Sequence, residues 1–249
     1  MALSAADLER FHRDGFIVVR QLVSPDTIAA LMTEVDGLHE QMAAAKPKGV
    51  GLTWEDDVTP PRIRQLMNSQ VVSPIIDQVM RSDAMLDIVE QLVGPDIILY
   101  HSKLMMKSAQ DGSFTPWHQD WGYWQASSVE PTQVNGMLAI DAATIENGCI
   151  RFVPGSHKDG AIEHQNFHTS GFTIGLPGDI DAYPDAVPVE LAPGDVVFFG
   201  PLVIHGSAPN NSAQHRRANT FAFDRVGNRK QGPDHAEQLL RGQLAATSV

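Results

Sequence analysis

The chain has 249 residues, a hydrophobic content of 43% and a formal charge of −12, enough apolar material for one core and a balance that disfavours nucleic acid or anionic membranes as partners. Its single cysteine, Cys149, excludes an intramolecular disulfide and fits a reducing, cytoplasmic setting. The first residues, Met1-Ala2-Leu3-Ser4-Ala5-Ala6-Asp7, hold no basic segment followed by an apolar run, so no signal peptide is expected, and no apolar stretch reaches the length of a membrane span.

Helices come first. Ser4 with Asp7 has the form of a capping box, with Leu3 and Leu8 placed as a hydrophobic staple. Ser24-Pro25 starts a second helix, along which Ile28, Leu31, Met32, Val35 and Leu38 repeat with helical spacing, a stripe suited to packing on a sheet. Residues 43–64, with Lys46-Pro47-Lys48-Gly49 and Pro60-Pro61, read as an irregular surface excursion that carries Trp54. Ser73-Pro74 and Asp83 open two short helices, and Gly94-Pro95 ends the second. From Ile97 onward short strands and Gly/Pro/Asn turns dominate, until a polar helix expected over 234–243. Helices followed by many strands, without βαβ alternation, predict a mainly β fold: helices backing a sandwich or barrel. The expected layout is one domain over 1–249, with a mostly helical part at 1–96, a barrel core at 97–225 and a tail at 226–249.

His-x-Asp occurs three times: His12-Arg13-Asp14, His118-Gln119-Asp120 and His157-Lys158-Asp159. Residues two apart share a face on a strand but not on a helix. His12 closes a helical pattern and His157 lies in a turn after Pro154-Gly155-Ser156, whereas His118 sits in the aromatic segment Trp117 to Trp124, where a short strand fits. By itself that triplet suits a ligand pair or a polar strand face equally. Further on, Pro193-Gly194-Asp195 is a turn and Val196-Val197-Phe198-Phe199 a fully apolar strand. Leu202-Val203-Ile204 then delivers His205, followed by Gly206 and Ser207, a small residue and a hydroxyl suited to a crowded ligand site. Arg216 to Phe223 alternates like a strand, with Arg216, Ala218, Thr220 and Ala222 on one face and Arg217, Asn219, Phe221 and Phe223 on the other. Two histidines and one carboxylate can occupy one face of a metal and leave the others open, as in non-haem Fe(II) oxygenases. Arg216, with small neighbours on its face, has room for a bound acid; Arg217 reads as a surface or packing arginine, and Cys149 as packing.

With these motifs in order, the chain resembles the phytanoyl-CoA dioxygenase (PhyH) family of Fe(II)/2-oxoglutarate oxygenases over most of its length. The opening Phe11 to Val23, the His118-Gln119-Asp120 triplet, Glu146 to Ile150 with Val153 to Lys158, Pro193-Gly194-Asp195 and His205-Gly206-Ser207 carry the likeness. The resemblance implies a double-stranded β-helix (jelly roll, cupin-like) with iron at its open end, held by His118, Asp120 and His205. It implies Arg216 as the partner of the 2-oxoglutarate co-substrate, with Ser207, Lys107 and Gln119 beside it. Met137 stands where some relatives place a tryptophan against the co-substrate. The implied reaction uses O2, releases succinate and CO2 and oxidises a C–H bond. Asp120 argues for a hydroxylase, since relatives that halogenate carry a small residue there.

For the substrate, Trp121, Trp124 and Lys103 are expected near the pocket, and Trp54 with its excursion as part of a cover over it. The cationic cluster that an acyl-CoA would need is limited to Lys46, Lys48, Arg62 and Arg64, so a small metabolite or natural product fits better than an acyl-CoA as in the family's namesake. A non-catalytic jelly-roll binding protein need not keep three ligands with Arg216, and a zinc hydrolase using two His and one Asp leaves Arg216 unexplained. The sequence is compatible with a monomer or a homodimer.

Overall fold

The computed structural model describes residues 2–169, 172–230 and 237–244. The helical starts follow their capping chemistry. In α1 (Ala5–Asp14) the Ser4 side chain accepts from the Asp7 amide while the Asp7 carboxylate takes the Ser4 amide, and the helix ends at Gly15, whose φ of 88° favours glycine. Ser24 and Ser73 cap α2 (Pro25–Ala44) and α3 (Pro74–Met80), each with proline in the first turn; Ser82 caps α4 (Asp83–Val93), which stops at Gly94.

The larger sheet joins β1 (Phe16–Val19), β11 (Val196–Phe199), β6 (Val134–Ala139), β13 (Arg216–Arg225), β4 (Ile97–Lys107), β3 (Ile63–Met67) and β2 (Gly51–Trp54) in that order, with β14 (Gln238–Arg241) also on β4. The smaller sheet runs β10 (Val187–Pro188), β7 (Ile150–Phe152), β12 (His205–Ser207), β5 (Thr115–His118), and β8 (Gln165–Thr169) pairs with β9 (Phe172–Gly175). The result is the expected jelly roll. Alternation along the strands serves two cores. Leu138, Val196, Phe198, Phe221 and Phe223 face the helices and bury the stripe of α2 with α3 and α4. Met137, Ala139, Val197, Phe199 and Ala218 face inward, against Ile150 and Phe152 of the smaller sheet. This explains why Val196 to Phe199 has no polar face: both of its sides are buried.

Three expectations change. The excursion at 43–64 is partly ordered: α2 reaches Ala44, and Gly51–Trp54 with Ile63–Met67 forms a hairpin on the larger sheet. Lysine- and proline-rich flanks hide this short β signal. The helix expected at 234–243 lies outside the described residues up to 236, and at Gln238–Arg241 it is replaced by β14, since pairing on β4 overrides a weak polar helical pattern. Finally, the short strand expected within the segment Trp117 to Trp124 ends at His118, before Asp120, and Trp121–Trp124 forms one helical turn, α5. Among the described residues no helix is long and apolar enough to cross a membrane.

Candidate metal and co-substrate site

Sheet register builds the first half of the site. His118, the last residue of β5, is the cross-strand partner of His205 on β12, and the two rings sit 4.2 Å apart between centroids. Asp120 arrives differently from the expected strand alternation: its φ of −58° and ψ of −29° are helical, so a turn after β5 swings its carboxylate back toward the imidazoles. Each histidine places Nδ1 against the carbonyl two residues earlier, Pro116 at 2.8 Å and Val203 at 3.0 Å. Nδ1–H therefore donates, and the lone pair of Nε2 is left for a ligand. Both Nε2 atoms lie 3.7 Å from an Asp120 carboxylate oxygen, and the three ligand atoms fall within 4.8 Å of one another. Asn135 on β6 donates from Nδ2 to Asp120 Oδ2 at 2.7 Å and so fixes the carboxylate.

The electrostatics suit a cation. Burial would raise the Asp120 carboxyl, but His205 and His118 beside it outweigh burial and hold it far below the ordinary carboxylate range. Burial, with His118 adjacent, pushes His205 down to about 3. Near neutral pH the site thus presents an ionised carboxylate and an unprotonated His205 imidazole, the forms that bind a metal. Two imidazoles and one carboxylate with open positions fit Fe(II). Gly206 owes its smallness to packing: a Cβ there would meet the Thr115 carbonyl and the Trp117 ring, each at 3.1 Å.

The second half is Arg216. It opens β13 opposite Lys107 of β4 and lines, with the triad, Ser207 and Met137, a cavity of about 60 Å³. Arg216 is 4% exposed, its Nε has no hydrogen-bond partner, and it forms no ion pair among the described residues. Burial pushes its guanidinium down to about 10. A buried cation without an acid is costly; the dicarboxylate expected from the sequence would supply one. Arg217, on the opposite face as anticipated, is instead held by Asp141 through Nε and Nη2, both at 2.8 Å.

The other expected residues divide. Lys103 lines both this cavity and a neighbouring one of about 240 Å³, where Trp124 lies with His101, Tyr123, Gln65 and Phe172. Lys107 does not line the first cavity: its Nζ donates to Ser207 Oγ at 2.7 Å and to the Ala208 carbonyl, so it positions Ser207. Gln119 does not line the first cavity. It is fully buried, donates to the Gly160 and Leu202 carbonyls and accepts from the Ile162 amide, tying the loop after β7 to the triplet. Trp121 lines neither cavity, and Trp54 packs on the helical core beside His39, so the expected cover does not include Trp54. Arg64 leaves the expected cationic cluster: it is buried over the Phe172 ring, donates to the Phe114 carbonyl and lies 3.8 Å from Glu55.

Asn135 and Phe172 escaped the sequence reading. Asn135 precedes Met137 by two residues on one strand face, a signal that was present. Phe172 follows a segment with no local pattern, and only the approach of β9 to β5 brings it to His118, at 5.5 Å between ring centroids. The competing His12 and His157 triplets lie on α1 and on a short 3-10 turn, away from any such cluster.

Comparison with known proteins bears on the family and the fold. The profile of the family described as phytanoyl-CoA dioxygenase (PhyH) matches residues 11–218. L-proline trans-4-hydroxylase of Streptomyces griseoviridis is 30% identical over 154 residues, 54% of this chain and 57% of that protein, so the match spans little more than half of that relative. Peroxisomal phytanoyl-CoA dioxygenase of Bos taurus is 30% identical over 236 residues, 89% of this chain and 68% of that protein. The solved structure of EctD from S. alaskensis with 2-oxoglutarate and 5-hydroxyectoine gives a TM-score of 0.76 at 23% identity, over 93% of this chain and 79% of that one, a likeness of fold.

Proposed function

The chain belongs to the phytanoyl-CoA dioxygenase family, and from that premise we propose that it is an Fe(II)- and 2-oxoglutarate-dependent dioxygenase that hydroxylates a small molecule. His118, Asp120 and His205 bind Fe(II), and Arg216 takes the far carboxylate of 2-oxoglutarate, with Ser207 beside it. When bound, the metal with 2-oxoglutarate and O2 supplies the oxidising power, yielding succinate, CO2 and an oxygenated C–H position. The protein supplies placement and exclusion of water. Backbone carbonyls fix the imidazole tautomers, Asn135 fixes the carboxylate, and the Arg216 fork orients the acid by charge-assisted bonds. Residues 1–249 act as one domain, working in the cytoplasm without nucleic acid or membrane.

One observation carries this reading: the triad and an acid-less buried arginine share a cavity. A zinc hydrolase or a passive binding protein gives Arg216 no task. An acyl-CoA substrate loses support because Arg64 is internal. The test is the anaerobic visible spectrum with Fe(II) and 2-oxoglutarate. Chelation gives a weak charge-transfer band, and admission of O2 gives succinate; a chain that binds Fe(II) but never develops the band is not such an enzyme.

A further inference from the structure

The cavity beyond the metal position has an uneven supply of charge. Its walls are Trp124, Phe172, Tyr123 and Met67, with Lys103, His101 and Gln65 among them. Among the described residues its one acid is Asp120, already held by Asn135 between the two histidines. The surrounding cations are otherwise engaged. Lys107 is bonded to Ser207 and the Ala208 carbonyl, Arg64 to the Phe114 carbonyl near Glu55, and Arg229 to the Tyr100 carbonyl with its guanidinium over the Tyr100 ring. Lys103 differs. It has no ion pair or side-chain hydrogen bond among the described residues, although it faces both cavities from the middle of β4, between Met67 of β3 and Thr220 of β13. Two residues along the same face, His101 carries a second unmatched polar atom, a buried Nε2 without a partner. Burial holds that imidazole neutral, down to about 3, so it offers a hydrogen bond and no second charge.

Resting on the dioxygenase reading, we propose that the primary substrate is a small carboxylate whose acid group is anchored by Lys103, with an apolar body against Trp124 and Phe172. An ammonium that lines this cavity with no ion pair of its own, its nearest acid Asp120 being already held by Asn135 between the two histidines, is complementary to a further anion and repels a cation. Arg216 does not compete for this acid, because it lies deeper and serves the co-substrate. The cavity, about 240 Å³, is below the roughly 300–1,000 Å³ of sites for drug-sized ligands, which suits a body of one ring or a short chain. Anchoring at Lys103, where the two cavities meet, leaves the carbon skeleton free to lie beside the metal position. His101 Nε2 then selects a polar group on that skeleton next to the acid.

The test uses the holoprotein, loaded anaerobically with Fe(II) and saturated with 2-oxoglutarate as judged by the charge-transfer band. Benzoate and its neutral isostere benzamide are titrated by calorimetry against the wild type, Lys103→Gln and Lys103→Arg. Benzoate is expected to bind saturably to the wild type and benzamide at least tenfold more weakly. Lys103→Gln should weaken benzoate by about ten- to a hundredfold, the value of a charged hydrogen bond, and erase the preference over benzamide; Lys103→Arg should keep it. With the band present, equal binding of acid and amide, no saturable benzoate binding, or an unaltered benzoate affinity in Lys103→Gln would each overturn the proposal alone. Absence of the band in the wild type would overturn the dioxygenase reading and this proposal together.

Discussion

Arg216 offers the sharpest test because it should behave oppositely with and without ligand. Burial lowers its guanidinium from the ordinary 12.5 to about 10, which penalises the charged form by roughly 3 kcal/mol at about 1.4 kcal/mol per tenfold. Arg216→Met keeps an apolar stem and removes that penalty, so the ligand-free variant should melt no lower than the wild type, and up to several degrees higher. Binding reverses the order. Loss of a charged hydrogen-bonded contact of about 1.5–3 kcal/mol raises the dissociation constant roughly ten- to a hundredfold. A 2-oxoglutarate concentration a hundred times the wild-type Kd stabilises the wild type by about 2.7 kcal/mol, but the variant by only about 0.4–1.4 kcal/mol. At about 3 °C per kcal/mol for a chain of this size, the shifts are about 8 °C and about 1–4 °C. Anaerobic melts with Fe(II) present, with and without 2-oxoglutarate, read both numbers. An undiminished 2-oxoglutarate shift, or a ligand-free variant melting several degrees below the wild type, would refute the assignment of Arg216 as an unpaired cation awaiting an acid.

Replacing His118, Asp120 or His205 by Ala should abolish succinate release while circular dichroism stays native-like; Asn135→Ala, which frees Asp120 Oδ2, should weaken Fe(II) by about 10–100-fold, measured by chelator competition. Arg217→Ala breaks the contacts to Asp141 and should cost about 1–3 kcal/mol in denaturant unfolding, with 2-oxoglutarate affinity near that of the wild type; the reverse would place the wrong arginine on the cavity face. His101 is held neutral down to about 3 when folded and titrates near 6.5 when unfolded, so the unfolded chain binds the extra proton between those values. Its contribution is fully present above about pH 6.5 and is lost as pH falls toward 3, by about 1.4 kcal/mol per unit; His101→Gln should remove one proton's worth of that slope in acid unfolding. Trp124→Phe, which keeps a ring beside Tyr100 and His101, should raise the substrate KM or release succinate without product, and tight coupling at an unaltered KM would make Trp124 packing alone.

The sequence by itself determined the three residues that cluster as candidate metal ligands, the helix starts and the facing of β13. Those features rest on local rules: a serine cap bonds within its own turn, and Arg216 and Arg217 must point to opposite faces of any strand. Local rules also rejected the His12 and His157 triplets. What they could not supply was distance across the chain. His118 meets His205 because β12 is laid on β5 in one register, and Asp120 joins them because the strand stops at His118, two residues short of it, and the chain turns into α5, a geometry that the two-residue spacing misdescribed. Gln119 could face the co-substrate or the loops equally well on paper; three hydrogen bonds to segments some forty and eighty residues away decided for the loops. Trp54 was drawn into the hairpin and the helical core for the same reason, since burial of an indole on an existing apolar surface outweighs the polar character of its flanks. Lys103 is the converse case. Its residue type was plain, but only the packed structure showed Lys107, Arg64 and Arg229 engaged and Lys103 without an ion pair among the described residues, because the pairing of charges across strands is a property of the assembled fold.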